Sequence, residues 1–186
     1  GRDERRITDH AGGDAATVVV HRFAVGTDAP APIDAWFVHP VGAVLPLPTV
    51  LVVHGGPNFA YGDTFNVDVH SLCAAGFGVL YANPRGSTGS GDAFTAAGRG
   101  DWTDGPARDL LAVVDHGVDH GWVIADRLGV TGNSYGGFMS AWLAATTDRF
   151  RAAVGDAHRT GQHGLATGGR PPPRPPPPPP PGGPRG

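Results

Sequence analysis

Four short apolar runs punctuate the chain: Val50-Leu51-Val52-Val53, Val79-Leu80-Tyr81-Ala82, Leu128-Gly129-Val130-Thr131 and Ala152-Ala153-Val154. Short runs without polar alternation are the mark of strands buried on both faces, and such strands belong to parallel sheets. Residues 17–24 and 32–39 are rich in β-branched and aromatic types and flank Gly26-Thr27-Asp28-Ala29-Pro30, which predicts an antiparallel pair at one edge. Between the runs the period becomes helical. Over 106–120, Ala107, Leu110, Leu111, Val114 and Val118 share one face, while Asp109, His116 and His120 share the opposite one. Strand alternating with helix predicts a doubly wound α/β sheet.

The chemistry concentrates where one apolar run meets a helix. In Gly132-Asn133-Ser134-Tyr135-Gly136-Gly137, a serine lies between glycines, after the strand 128–131 and before the predicted helix 138–144. A Gly-x-Ser-x-Gly turn of this kind is a nucleophile elbow: the backbone bends so sharply that Cβ atoms two before and two after the serine would collide with strand and helix. With 30 glycines in 186 residues the pattern alone is weak, and its flanking elements are what give it weight. His54-Gly55-Gly56-Pro57 directly follows the run 50–53. Read alone it is a tight turn. Beside an elbow it offers a backbone N–H from Gly56, which with that of Tyr135 would meet the oxyanion of acyl transfer, a donor being worth about 3–4 kcal/mol.

Composition narrows the setting. A net charge of −3 gives no reason to expect nucleic acid or an anionic membrane as partner. The chain has no lysine, and Glu4 is its one glutamate, so Arg and Asp carry nearly all the charge, which reads as nucleotide bias. Cys73 is the single cysteine, so an internal disulfide is excluded and a reducing, cytoplasmic compartment is expected. No apolar run reaches the ~18 residues of a membrane span.

Four blocks in order carry a family resemblance: His54-Gly55-Gly56-Pro57, the segment Tyr81 to Gly91 containing Asn83-Pro84-Arg85-Gly86-Ser87, the segment Asp126 to Met139 around the elbow, and Asp148 to Val154. Together they resemble the catalytic domain of the prolyl oligopeptidase family of serine peptidases, in its acylaminoacyl-peptidase-like branch, over about residues 17–156. The resemblance implies an α/β-hydrolase fold, a mostly parallel sheet with helices on both faces. It implies Ser134 as acylating nucleophile and Gly56 and Tyr135 as oxyanion donors. Short peptides are the implied substrates, with no cofactor and no metal. An esterase or lipase of the same fold, or a non-catalytic fragment, are the rival readings.

Family members place the acid and base of the triad downstream of the elbow, and the resemblance stops after Ala157. The chain is therefore expected to divide into an N-terminal extension (1–16), a partial catalytic domain (17–157) lacking its C-terminal part, and a Gly/Pro/Arg-rich tail (158–186). Eleven of the 19 prolines fall in the last sixteen residues, which excludes a packed core there. A shifted reading frame in G/C-rich DNA would produce such a tail; a ligand for an aromatic groove is the alternative. Asp156 with His158 or His163 is a substitute triad to test, and an ordinary polar strand end is the simpler reading of Asp156. His116 and His120 have metal-binding i, i+4 spacing but no evident third ligand, so a solvated helix face is expected. Arg85 is read first as a pin for its glycine-rich loop and second as a ligand for a substrate carboxylate. Trp102, Trp122 and Trp142 are read as packing residues.

Overall fold

A computed structural model describes residues 18–156, so the predicted extension and tail, with His158 and His163, lie outside the described residues. Six strands, β1 (Val18–Val25), β2 (Ile33–Pro40), β3 (Leu47–Val53), β4 (Gly78–Ala82), β5 (Val123–Asn133) and β6 (Ala152–Asp156), form one sheet in the order β1-β2-β4-β3-β5-β6. β3, β4, β5 and β6 run parallel, as predicted. Burial on both faces, however, holds only for 51–53 and β4: in β5, buried Leu128 and Val130 alternate with half-buried Gly129 and Thr131, and residues 152–155 of β6 are exposed. β1 and β2 pair antiparallel at the edge, Val18 opposite Pro40 through Val25 opposite Ile33. β2 is also antiparallel to β4.

Helices connect the parallel strands: α1 (Val67–Ala74), α2 (Asp92–Ala96), α3 (Asp104–Asp119) and α4 (Tyr135–Thr146). α1 starts where Asn66 accepts hydrogen bonds from the backbone N–H groups of Asp68 and Val69, a side-chain cap for two orphan donors. The period-two alternation of the strands sorts their side chains onto two faces. Phe37, Leu51, Val53, Leu80 and Val130 point to a core built with α3 and α4, whereas Trp36, Val38, Val52, Val79 and Tyr81 face α1. Trp102, Trp122 and Trp142 all pack against the first of these cores. Cys73 is buried on the α1 side, and burial pushes its thiol up to about 11. No helix among the described residues is long and apolar enough to cross a membrane.

The helical wheel of α3 misleads at one position. Asp109 lies opposite the apolar stripe, yet it is fully buried. The reason is tertiary: the β1–β2 turn and the segment after β4 both close over that side of α3, and Asp109 accepts a hydrogen bond from the Thr27 hydroxyl at 2.9 Å. His116 on the same face is half-buried and stacks on Phe23, ring centroids 4.5 Å apart.

Candidate active site

β5 runs into Asn133, and α4 begins at Tyr135. Ser134 between them has φ 55° and ψ −116°, and is the one non-glycine residue with positive φ among the described residues. Such a backbone persists only where the surroundings fix it. Here they do: a Cβ at Gly132 would lie 2.5 Å from the Val53 carbonyl oxygen, and one at Gly136 would overlap that same atom. Strand, turn and helix therefore approach as closely as backbone allows. Ser134 is exposed, and no histidine among the described residues hydrogen-bonds its hydroxyl. The next side chain turns inward: Tyr135 is buried, and its hydroxyl donates to the Trp102 carbonyl at 3.0 Å. Burial raises the Tyr135 phenol far above its ordinary range. As the first residue of α4, Tyr135 has a backbone N–H with no intrahelical acceptor.

β3 lies beside β5, with Val53 opposite Gly132, so the loop leaving β3 arrives at the elbow. A Cβ on Gly55 would sit 3.6 Å from Ser134 Cβ and 3.3 Å from the Asn133 carbonyl oxygen. Gly56 has φ 126°, and a Cβ there would meet the Asn58 nitrogen at 2.7 Å. One glycine is thus required by close approach and the other by its backbone conformation. His54 is buried, with Nδ1 2.7 Å from the Gly55 carbonyl oxygen and Nε2 2.9 Å from the Ser87 hydroxyl. Burial lowers the pKa of His54 and keeps the ring neutral. A cavity of about 560 Å³ opens against this loop, lined by His54, Gly55, Phe59, Tyr61, Thr131 and Asn133 among others.

The segment after β4 braces the loop from the other side. Asn83 accepts from the Tyr61 N–H at 2.8 Å and donates to the Tyr61 carbonyl at 3.0 Å. Arg85 sends its backbone N–H and Nε to one Asp109 oxygen, at 2.8 and 2.9 Å, and Nη2 to the other at 2.7 Å. Nη2 also meets Asp28. The hydrogen bonds to Asp109 lead in pushing the Arg85 pKa well above its ordinary value. Arg85 is buried and held by this network through its backbone N–H, Nε and Nη2, which supports the pin.

The fold agrees with comparisons to known proteins. The prolyl oligopeptidase family matches residues 63–160. The chain belongs to that family. It is 35% identical over 163 residues to an uncharacterized peptidase, YuxL, of Bacillus subtilis, spanning 83% of this chain and 24% of that protein. It is 40% identical over 114 residues to dipeptidyl aminopeptidase BIII of Pseudoxanthomonas mexicana, spanning 59% of this chain and 16% of that one. Among solved structures, the Pyrococcus horikoshii acylaminoacyl peptidase superposes with TM-score 0.72 at 27% identity, covering 81% of this chain and 25% of its own. A puromycin-hydrolyzing peptidase of Mycobacterium tuberculosis gives TM-score 0.70 at 26% identity, covering 82% and 24%. These neighbours fix the fold as that of the α/β-hydrolase peptidases, and this chain spans about a quarter of the length of each.

The remaining candidates fall away from the elbow or outside the description. The His116 and His120 rings stack at 3.9 Å, and His120 Nδ1 donates to the His116 carbonyl, an arrangement of packing rather than ligation. The backbone of Asp156 ends β6 opposite Asn133, one residue before the nucleophile candidate. The supporting residues that sequence reasoning did not single out are Ser87, Asn83 and Asp109. For Ser87 the available signal was its place three residues after Pro84, where its hydroxyl closes back onto the Pro84 carbonyl at 2.7 Å.

Proposed function

We propose that this chain carries the nucleophile and oxyanion donors of a serine peptidase acting on short peptides. The hydroxyl oxygen of Ser134 attacks the scissile carbonyl carbon while its proton passes to a general base. The carbonyl oxygen becomes an anion, received by the N–H groups of Gly56 and Tyr135. Collapse of the tetrahedral species breaks the C–N bond, the protonated base gives its proton to the leaving amine, and water releases the acyl group from Ser134. The observation that supports this most directly is the strained, exposed Ser134 at φ 55° with Gly55 packed against it.

The base is assigned to a residue outside 18–156, because the described histidines are engaged elsewhere, and its acid to Asp156 or a residue beyond it. Weak turnover is therefore expected from residues 18–156 alone: oxyanion and binding effects without a triad leave only ~10³–10⁴ over water. Peptides as substrates, and a reducing cytoplasmic setting, are extensions from the family and from the single cysteine. The test is to append the downstream segment of a relative and follow hydrolysis of short peptide anilides. Turnover that disappears in Ser134→Ala supports the proposal. Turnover that survives Ser134→Ala, or a strong preference for simple esters over anilides, rejects it.

A further inference from the structure

Three cavities adjoin one another along the connection from β3 to α1. One of about 560 Å³ abuts Gly55, one of about 490 Å³ is lined from β1, β2, β4 and α1, and one of about 150 Å³ shares walls with both. Asn66 lines all three. Phe59 and Phe65 stand 55% and 71% exposed at the rim. Tyr61 crosses Phe59 at 84° and Tyr81 at 67°, so the rings make slots rather than a flat patch. Large exposed aromatic side chains gathered in one place mark a contact surface. Aromatic slots of this kind take polyproline II ligands, whose backbone is unbonded within itself and offers its carbonyl groups to donors. Asn66 has a donor to give: its side-chain oxygen caps α1, and its amide N–H₂ donates to no group among the described residues. Asp63 is already engaged by Arg22 and Trp36. Asp68, which lines the first cavity, is exposed and pairs with no cation among the described residues. Its charge adds to burial in raising the Tyr61 phenol, so the carboxylate stands near that ring. The ligand that suits this groove is rich in proline and carries a cation.

This chain contains such a ligand. Pro171 to Pro173, Arg174 and Pro175 to Pro181 make a proline run broken by one arginine. β6 delivers the chain to Asp156, opposite Asn133, and Asn133 lines the cavity at one end of the groove. Fourteen residues separate Asp156 from Pro171. Extended, they span up to about 50 Å, more than the roughly 35–40 Å diameter of a domain of this size. A tether of that length holds the run at an effective concentration of ~mM, so a groove of modest affinity fills from within. We infer that the Pro171–Pro181 run docks in cis on the groove around Phe59, Tyr61 and Phe65, with Arg174 against Asp68. Docking does not depend on Ser134 as nucleophile.

The experiment uses the full chain, ¹⁵N-labelled and carrying a nitroxide on Gly182→Cys. Cys73 is buried and its thiol pushed up to about 11, so it stays unlabelled. Paramagnetic broadening is expected at the amides of residues 59–69, and not over α3 and α4 on the opposite face of the sheet. Phe65→Ala, at an exposed position, should weaken docking on the order of tenfold and disperse the broadening. Arg174→Asp should disperse it as well, and adding Asp68→Arg to that chain should restore it. Broadening that is spread evenly over the surface, centred elsewhere, or unmoved by Phe65→Ala and Arg174→Asp overturns the inference. Failure of the charge exchange to restore it rejects the contact of Arg174 with Asp68. Broadening of residues 59–69 in ¹⁵N-labelled chains that lack the nitroxide, when mixed with unlabelled chains that carry it, also overturns docking in cis, since the occupant is then the tail of a second copy.

Discussion

The two faces of the sheet are built differently. On one, α3 and α4 complete a core of nineteen buried residues among those described, Phe37, Leu51, Leu110, Tyr135, Met139 and Leu143 included. On the other, α1 completes a core of seven, and Val154 of β6 remains 63% exposed. The elbow belongs to the densely packed side, since the helix that follows Ser134 buries Tyr135, Phe138, Met139 and Leu143. The cavity beside Gly55 belongs to the lightly packed side, lined by Val52, Leu72 and Thr131. Geometry that must be held to fractions of an ångström sits on the rigid face. Space that must admit a ligand sits on the other.

The largest expected effect breaks the rigid side at its tightest point. Gly136→Val puts branched bulk onto the Val53 carbonyl, a backbone atom that cannot move without separating β3 from β5. A loss upwards of about 4 kcal/mol in urea unfolding is expected, in the range reserved for a named structural collision. An unchanged midpoint would deny that Ser134 occupies an elbow.

Next comes the buried ion pair that closes over α3. Asp109→Ala strips the Arg85 side chain and backbone N–H of an acceptor inside the protein, where removing one partner costs about 3 kcal/mol or more. Asp28→Ala touches the same guanidinium from its exposed end and should cost much less. Equal losses would show that the network is not organised around its buried carboxylate.

A matched pair measures the contrast of the faces directly. Val114 in α3 and Val69 in α1 are both buried helical valines, so propensity cancels between them. Val114→Ala is expected to cost about 2 kcal/mol and Val69→Ala about 1, because a thinner layer relaxes more readily around the lost methyls. A larger loss at Val69 would reverse the assignment of the rigid face.

Much of this arrangement is legible in the sequence, for a reason that also sets the boundary. The runs at 50–53, 79–82 and 128–131 announce strands by their own composition, the first two buried on both faces over 51–53 and 79–82, and the elbow glycines declare a backbone no other residue tolerates. Both are local signals. Asp109 is not local: its partners Thr27 and Arg85 stand 82 and 24 residues away, and a helical wheel sees neither. His54 and Ser87 are likewise 33 residues apart, so the brace behind the glycine loop exists only once β3 and β4 are side by side. The antiparallel contact of β2 with β4 is hidden for the same reason.

The smallest effect sought is a pH dependence that separates the active-site loop from the edge hairpin. His54, His21 and His116 all have pKa values lowered below 6.5, each with burial as the leading cause, and His39 and His120 add like-charge repulsion at His21 and His116. The folded chain therefore binds fewer protons than the unfolded chain as pH falls through 6.5. Stability is full above that value and is lost progressively below it. Asp28 is held below its ordinary carboxylate value chiefly by its hydrogen bond from Arg85, so its contribution fades only on the far side of 3.8 and stays out of this window. Thermal midpoints measured at pH 7.5, 6.5 and 5.5 should decline in that order. His54→Asn should flatten the part of the decline owed to the glycine loop, leaving the part owed to His21 and His116, which stack with Phe23 and Trp122 at the edge. A midpoint that holds steady or rises on acidification would mean that these rings are charged in the fold, and a charged His54 would place a second proton on Nε2, facing Ser87.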